Sequence, residues 1–362
     1  MKNIIKTIHK INENQIFSPL SLYFTLCLLA KVTSGDTKKE VLNVLELKDD
    51  ELLDRIKLIN ETFNKDDENR QIMLKSSMWF ADKFNINFNY ANKVSEECDS
   101  AIKSGKMGTR EFDEEIHEWI NSNTKNLLKD SVEKIKTVND EILTLISTIY
   151  LKGRWSSEFE KNDTRKSKFY ISKNKFIKCD FMKKTINSGL YVGEHFKALP
   201  MNLSGLATMM FVLPNDGYEL SDIKDDEDLI ELLDGNNKLV KYAQYLVNFK
   251  VPKFDLKNDN ENLIPYFDSL GITKALNINE ADFTPISNEK SIFISDVKQA
   301  SRLKIDEEGV EAASYSILDC VCGSAIEVLP LKVDFVLNRP FMFSVVRGDM
   351  PVFVGTVVDP TK

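Results

Sequence analysis

Ile305-Asp306-Glu307-Glu308-Gly309-Val310-Glu311-Ala312-Ala313-Ser314, with the run that follows it to Pro340, decides the reading of this 362-residue chain. From Val310 to Cys322 the even positions are Val310, Ala312, Ser314, Ser316, Leu318, Cys320 and Cys322, all small or apolar. The carboxylates Glu311 and Asp319 fall on odd positions. The period is close to two, which marks a strand with one face buried and one in water, although Ile317 and Val321 depart from it. No Asn-Gly or Asp-Gly turn pairs the segment with a neighbour, and Gly323 to Leu331 has loop character. It reads as a strand without a place in a sheet.

A composition of 42% hydrophobic and 29% charged residues is that of an ordinary soluble globular protein. A chain of this length buries roughly three quarters of its unfolded surface. The net charge of −8 and the dispersed lysines argue against nucleic acid and show no heparin-type stripe. Five cysteines (Cys27, Cys98, Cys179, Cys320, Cys322) are an odd, sparse set that fits a reducing compartment better than a disulfide scaffold. His9, His117 and His195 have no metal-ligand spacing, so neither a metal nor a cofactor is expected. Met1 to Lys10 reads as a short amphipathic helix rather than a secretory signal, and no apolar run approaches a membrane span. The expectation is a cytoplasmic protein, or one released without a secretory signal.

Phe17-Ser18-Pro19-Leu20-Ser21 stops one element and starts another, since Ser caps a helix and Pro suits its first turn. Leu22 to Lys31 is a nearly all-apolar helix and so belongs inside a core. Gly35-Asp36-Thr37 breaks it, and Thr37-Lys38-Lys39-Glu40 offers a capping box. Residues 49–70 form an acidic surface helix, Met73 to Phe80 a strand, Ile86 to Tyr90 the start of a helix, and Glu114 to Leu128 a further helix. The β-branched run Ile142 to Leu151 belongs at the centre of a sheet. Further strands are expected at Leu206–Leu213, Gln244–Val251, Ile292–Val297, Phe341–Val346 and Val352–Val357. Helices are expected at Glu227–Leu233 and, interrupted by Pro265, at Glu261–Leu270. Without a βαβ rhythm, a repeat or a linker, the class is α+β and the chain, residues 1–362, a single domain.

No Gly-x-Ser-x-Gly elbow, phosphate loop or His-Glu-x-x-His is present, so enzymatic activity is not expected. Arg347-Gly348-Asp349 has the residues of a hairpin turn between two strands rather than of an adhesion site. Cys320-Val321-Cys322 lacks the geometry for an easy disulfide along a strand.

Phe17-Ser18-Pro19-Leu20-Ser21, Tyr150-Leu151-Lys152-Gly153-Arg154-Trp155, Val251-Pro252-Lys253-Phe254, Glu307 to Ala313, Asn338-Arg339-Pro340-Phe341 and Phe353-Val354-Gly355 occur in this order across nearly the whole chain. This set resembles the serpin family, with a shortened N-terminus as in some intracellular viral and microbial members. The resemblance implies three β-sheets, about eight or nine helices and an exposed reactive-centre loop, here about residues 307–332. It also implies a suicide-substrate mechanism, in which a monomeric inhibitor is cleaved, forms a covalent acyl-enzyme, and inserts its loop into the main sheet. About 14 inserted residues at ~3.3 Å each reach roughly 46 Å. Their side chains and ladder hydrogen bonds contribute on the order of 10–20 kcal/mol before ordering costs, so the native state is expected to be metastable.

Carried onto this sequence, the hinge is Glu307, Gly309, Val310, Glu311, Ala312, Ala313 and Ser314. The shutter is Ser18, Ser21, Ser147 and Gln299, and the breach is Trp155, Lys253 and Glu307, with Lys253 and Glu307 as a salt bridge. Ser147 and Gln299 stand where Asn and His are usual, which implies an exchanged pair that keeps its hydrogen bond, or else a less stable shutter. Family spacing puts the cleaved bond at Gly323-Ser324, with Cys322, Leu329 and Asp319 as alternatives. Cys322, Gly323 and Leu329 suit chymotrypsin- or elastase-like serine proteases, since no Lys or Arg lies between Val310 and Leu329. Asp319 suits a caspase, and hence a cross-class cysteine protease inhibitor. Tyr315, bulky in the hinge, fits a non-inhibitory binding or storage role.

Overall fold

The computed structural model describes residues 1–6, 11–66, 70–129, 132–236, 241–310 and 331–362. These contain nine α-helices interspersed with strands, an α+β arrangement. The chain separates into two compact units. One holds residues 16–151 and 257–302 with the N-terminal helix Lys2–Ile5; the other holds 11–15, 152–256 and 303–362.

In the first unit the Pro19–Val32 helix is buried at every residue except Lys31, as an all-apolar surface requires. Ser18 caps it by accepting from the Ser21 amide at 3.1 Å, and Lys31 carries its ammonium out to Glu97 at 2.7 Å. The next helix, Gly35–Leu45, begins before the expected capping box. Thr37 lies inside it, donating to Glu280 O and accepting from Asp282 N, while Glu40 accepts from the amides of Thr273 and Lys274. Both side chains bond distant segments instead of capping their own helix.

The sheet of this unit centres on Leu143–Arg154, buried throughout except at Lys152. It lies between Arg70–Ala81, which also pairs in parallel with Ala101–Gly105, and Asp296–Ile305. Three expected elements move. The acidic helix placed at residues 49–70 spans Leu52–Phe63, and Arg70 already begins the next strand. The helix placed at Glu114–Leu128 spans Arg110–Asn123, because Lys125 and Asn126 turn left-handed at φ 49° and 60°. The strand placed at Ile292–Val297 spans Asp296–Ile305, while Ile292 and Ile294 are buried without entering it. Pro265 opens the helix Ile264–Ser269 rather than interrupting one.

The second unit contains the longest strand, Lys175–Val192, which its many lysines disguise in the sequence. It pairs antiparallel with Arg165–Ser172 and with Lys241–Pro252, and Lys332–Val336 adds in parallel to the latter. A second run orders Phe196–Leu203, Ala207–Pro214, Phe341–Arg347 and Met350–Val357. Tyr191 and Val192 pair with Ala198 and Lys197, so two of the three expected sheets are hydrogen-bonded into one. Gly348, at φ 63°, turns the hairpin in which Arg347 pairs with Met350, as its residues predict.

Gly105 is a tight point in the first unit, where an added Cβ would lie 2.3 Å from the Phe112 ring. Gly105→Ala is expected to lower stability by about 1–3 kcal/mol through overpacking, read as a lower urea midpoint with an unchanged m-value.

Candidate functional site: a parted pair of strands

Asp296 to Ala300 pair directly and in parallel with Thr144 to Thr148, so that Gln299 lies opposite Ser147. Further along, the same two strands separate around a third. Gly309–Val310 forms a two-residue strand, with Val310 antiparallel to Ile305 on one side and to Gly153 on the other. Thr148 and Ser301 flank the point where direct pairing ends. Their hydroxyls are buried and have no hydrogen-bond partner among the described residues.

The expectation of an unpaired strand is therefore overturned at Gly309–Val310. Asp306 supplies the missing turn: its Oδ1 accepts from the amides of Glu308 at 3.0 Å and Gly309 at 3.3 Å, and its own amide donates to Gly309 O. Gly309 has φ 156°, and a Cβ there would lie 2.3 Å from Gly153 O and 2.7 Å from Arg154 Cα. Those are backbone atoms that cannot give way, so the position requires glycine.

The expected breach residues converge on this turn. Lys253 Nζ donates to Glu307 Oε2 at 2.7 Å, and Thr164 donates to Oε1 at 2.7 Å. Trp155 donates its indole N–H to Asp306 O at 2.9 Å and its amide to Glu308 O at 3.0 Å. Phe159, whose ring meets Trp155 edge-on, donates its amide to Glu307 O. Burial alone would raise the Glu307 carboxyl, but its hydrogen bonds from Lys253 and Thr164 bring it below the ordinary value. The sequence reading missed Thr164, Phe159 and Lys184. The last donates to Ser157 O and Oγ and to Glu158 O, bracing the 157–159 turn, while burial pushes its ammonium down to about 8.

The four expected shutter residues are all buried, but their bonding differs from expectation. Gln299 Oε1 accepts from Ser18 N at 2.8 Å and Nε2 donates to Ser18 O at 3.0 Å, so its amide closes on the Ser18 peptide rather than on Ser147. Ser21 serves through its amide, which Ser18 Oγ caps. An ion group lies nearby: Lys298 Nζ meets Oε1 of Glu141, which precedes the Leu143–Arg154 strand, at 3.6 Å and also bonds Asp296. Burial raises the Glu141 carboxyl, with Lys298 and Thr144 opposing the shift. Glu311, Ala312, Ala313, Ser314, Asp319, Cys322, Gly323, Ser324 and Leu329 lie outside the described residues.

The profile of the family described as serpin (serine protease inhibitor) matches residues 2–360. This chain belongs to the serpin family. Alpha-1-antiproteinase of Rattus norvegicus is 26% identical over 372 residues, covering 98% of this chain and 86% of the relative. Serpin-Z10 of Arabidopsis thaliana is 26% identical over 381 residues, covering 100% and 95%. Human thyroxine-binding globulin, solved as a complex with thyroxine, superposes with a TM-score of 0.85 at 21% identity, covering 100% of this chain and 96% of that one. The serpin fold is thereby established, and protease inhibition is the general activity of the family.

Three outcomes follow from this geometry. Gln299→Leu removes the two hydrogen bonds that its amide makes to the buried Ser18 backbone and is expected to cost about 1–3 kcal/mol, whereas Ser147→Ala costs under ~1 kcal/mol; urea unfolding of both variants separates them. Lys298→Met strands buried carboxylates at about 3–5 kcal/mol at pH 7. That loss should shrink as pH falls from 7 toward the acid range, because burial makes the Glu141 carboxyl easier to protonate than an ordinary one; a loss independent of pH contradicts the assignment. Because the folded Glu307 carboxyl sits below its ordinary 4.5, its contribution is full above that pH and fades as pH falls through the folded value. Glu307→Gln should therefore flatten the fall in melting temperature between pH 5 and pH 3, as scanning calorimetry would record.

Proposed function

We propose that this serpin inhibits a chymotrypsin- or elastase-like serine protease as a suicide substrate. The protease cleaves the loop at Gly323-Ser324, or next to Cys322 or Leu329, and is trapped as the acyl-enzyme while the loop inserts into the main sheet. The observation that carries this reading is the parted pair of strands already holding Gly309–Val310. Extension of that strand toward the buried Thr148 and Ser301 hydroxyls would complete the ladder and give those groups neighbours. Residues 1–362 act on this reading as a single monomeric domain, in the cytoplasm or released without a secretory signal. The inhibitor is not itself a catalyst.

A second reading is a non-inhibitory binding serpin. Tyr315 in the hinge favours it, as does the thyroxine carried by the structurally similar globulin.

Incubation with chymotrypsin and elastase should give an SDS-resistant complex, and mass spectrometry of the released peptide should place the cleaved bond. Cleavage without a complex and without a large rise in melting temperature would favour the second reading. Val310 is 2% exposed, so Val310→Arg places a charge where the first inserted side chain is packed. It should leave loop cleavage intact but abolish the complex; an unchanged yield of complex counts against insertion.

A further inference from the structure

The turn of the Arg165–Val192 hairpin borders a cavity of ≈ 460 Å³ that contains none of the candidate-site residues. Ile11 and Leu220, both buried, contribute apolar lining, and Tyr170 and Tyr218 are each 39% exposed at its surface. Both rings are braced. Tyr218 stacks on His195 at 4.4 Å between centroids, and Tyr170 meets Phe176 edge-on at 6.0 Å. Neither phenol hydroxyl has a hydrogen-bond partner among the described residues. Aromatic surface held in place this way binds a planar group with little ordering cost.

The cavity also has cationic groups. Arg339 Nη2 donates to Pro214 O at 2.8 Å and to Asp216 Oδ1 at 3.0 Å, while its Nε and Nη1 donate to nothing among the described residues. Asp216 is fully exposed, so this ion pair is weakly held. The other acids of that wall are engaged: Glu219 and Asp222 cap each other's amides reciprocally. Residues 165–184 hold eight basic side chains against the single acid Asp180, contrary to the expected even dispersal. Lysines on the outer Arg165–Ser172 strand are explained as guards of an open edge. That explanation does not reach Lys173 and Lys175 at the turn or Lys178 on the inner strand. Of these, Lys173 lines the cavity and brings a second positive charge to it.

We propose that this cavity binds a small aromatic carboxylate, with the carboxylate taking the place of Asp216 on Arg339 and the ring lying against Tyr170 and Tyr218. Guanidinium presents paired N–H donors that match a carboxylate, and the apolar lining accepts the body of the ligand.

The test is calorimetric titration of the full-length native protein with 2-naphthoate, with the neutral isostere 2-naphthylmethanol alongside. The naphthoate is expected to saturate one site, with affinity falling as salt rises, and the alcohol is expected not to bind. Arg339 also holds the Pro214 carbonyl, so the exposed positions carry the decisive variants. Asp216→Asn should tighten naphthoate binding about three- to tenfold by removing the competing carboxylate. Lys173→Gln should weaken it severalfold, and Tyr218→Ala about tenfold or more. The absence of a saturable site, equal binding of the alcohol, or an Asp216→Asn affinity that is unchanged or lower would each overturn the proposal.

Discussion

Buried backbone groups must be hydrogen-bonded, and that constraint shapes the centre of this serpin. Leu143–Arg154 and Asp296–Ile305 satisfy each other only as far as Thr148 and Ala300. Beyond that they have parted, and Gly309–Val310 bonds to both. Such an arrangement needs a tight return from Ile305, which Asp306 provides, and a residue without a side chain against Gly153, which Gly309 provides. The cluster of Trp155, Phe159, Thr164, Lys253 and Glu307 then holds the return in place through both backbone and side chain.

The strand that supplies one side of this pair is unusually polar for its burial. Lys298, Gln299 and Ser301 are 5%, 0% and 0% exposed. A buried lysine requires carboxylates, and a buried amide requires two partners; Glu141 with Asp296 and the Ser18 peptide meet these needs. The same bonds tie the helix start at Ser18 to the strand, so its tether is a polar network rather than a purely apolar contact. Gln299 is thus a satisfied amide whose partner is the Ser18 backbone rather than Ser147.

Charge in the second unit is distributed as unevenly as polarity is in the first. A chain of net −8 concentrates eight bases in residues 165–184, and folding places them on one hairpin. Lys168 lies over the Phe176 ring at 4.3 Å and directly opposite Lys178. Like charges facing across strands are unfavourable, so this pairing is retained against a local cost.

The sequence by itself determined the α+β class, the central Ile142–Leu151 strand, the buried helix after Ser18, the Gly348 turn and the motifs of the family. Each depends on local periodicity, turn chemistry or residue identity. Only the tertiary structure decided the partners. Val310 finds a place between strands far apart in sequence, Gln299 turns to Ser18 instead of Ser147, and Thr37 and Glu40 serve other segments instead of their own helix. The extent of Asp296–Ile305 and Lys175–Val192 was hidden for a related reason. Lysines, serines and glutamine read as solvent-facing until long-range pairing supplies the carboxylates, carbonyls and neighbouring strands that let them join a sheet. A local pattern records which face is apolar; the bond that satisfies a polar group comes from residues that folding alone brings near.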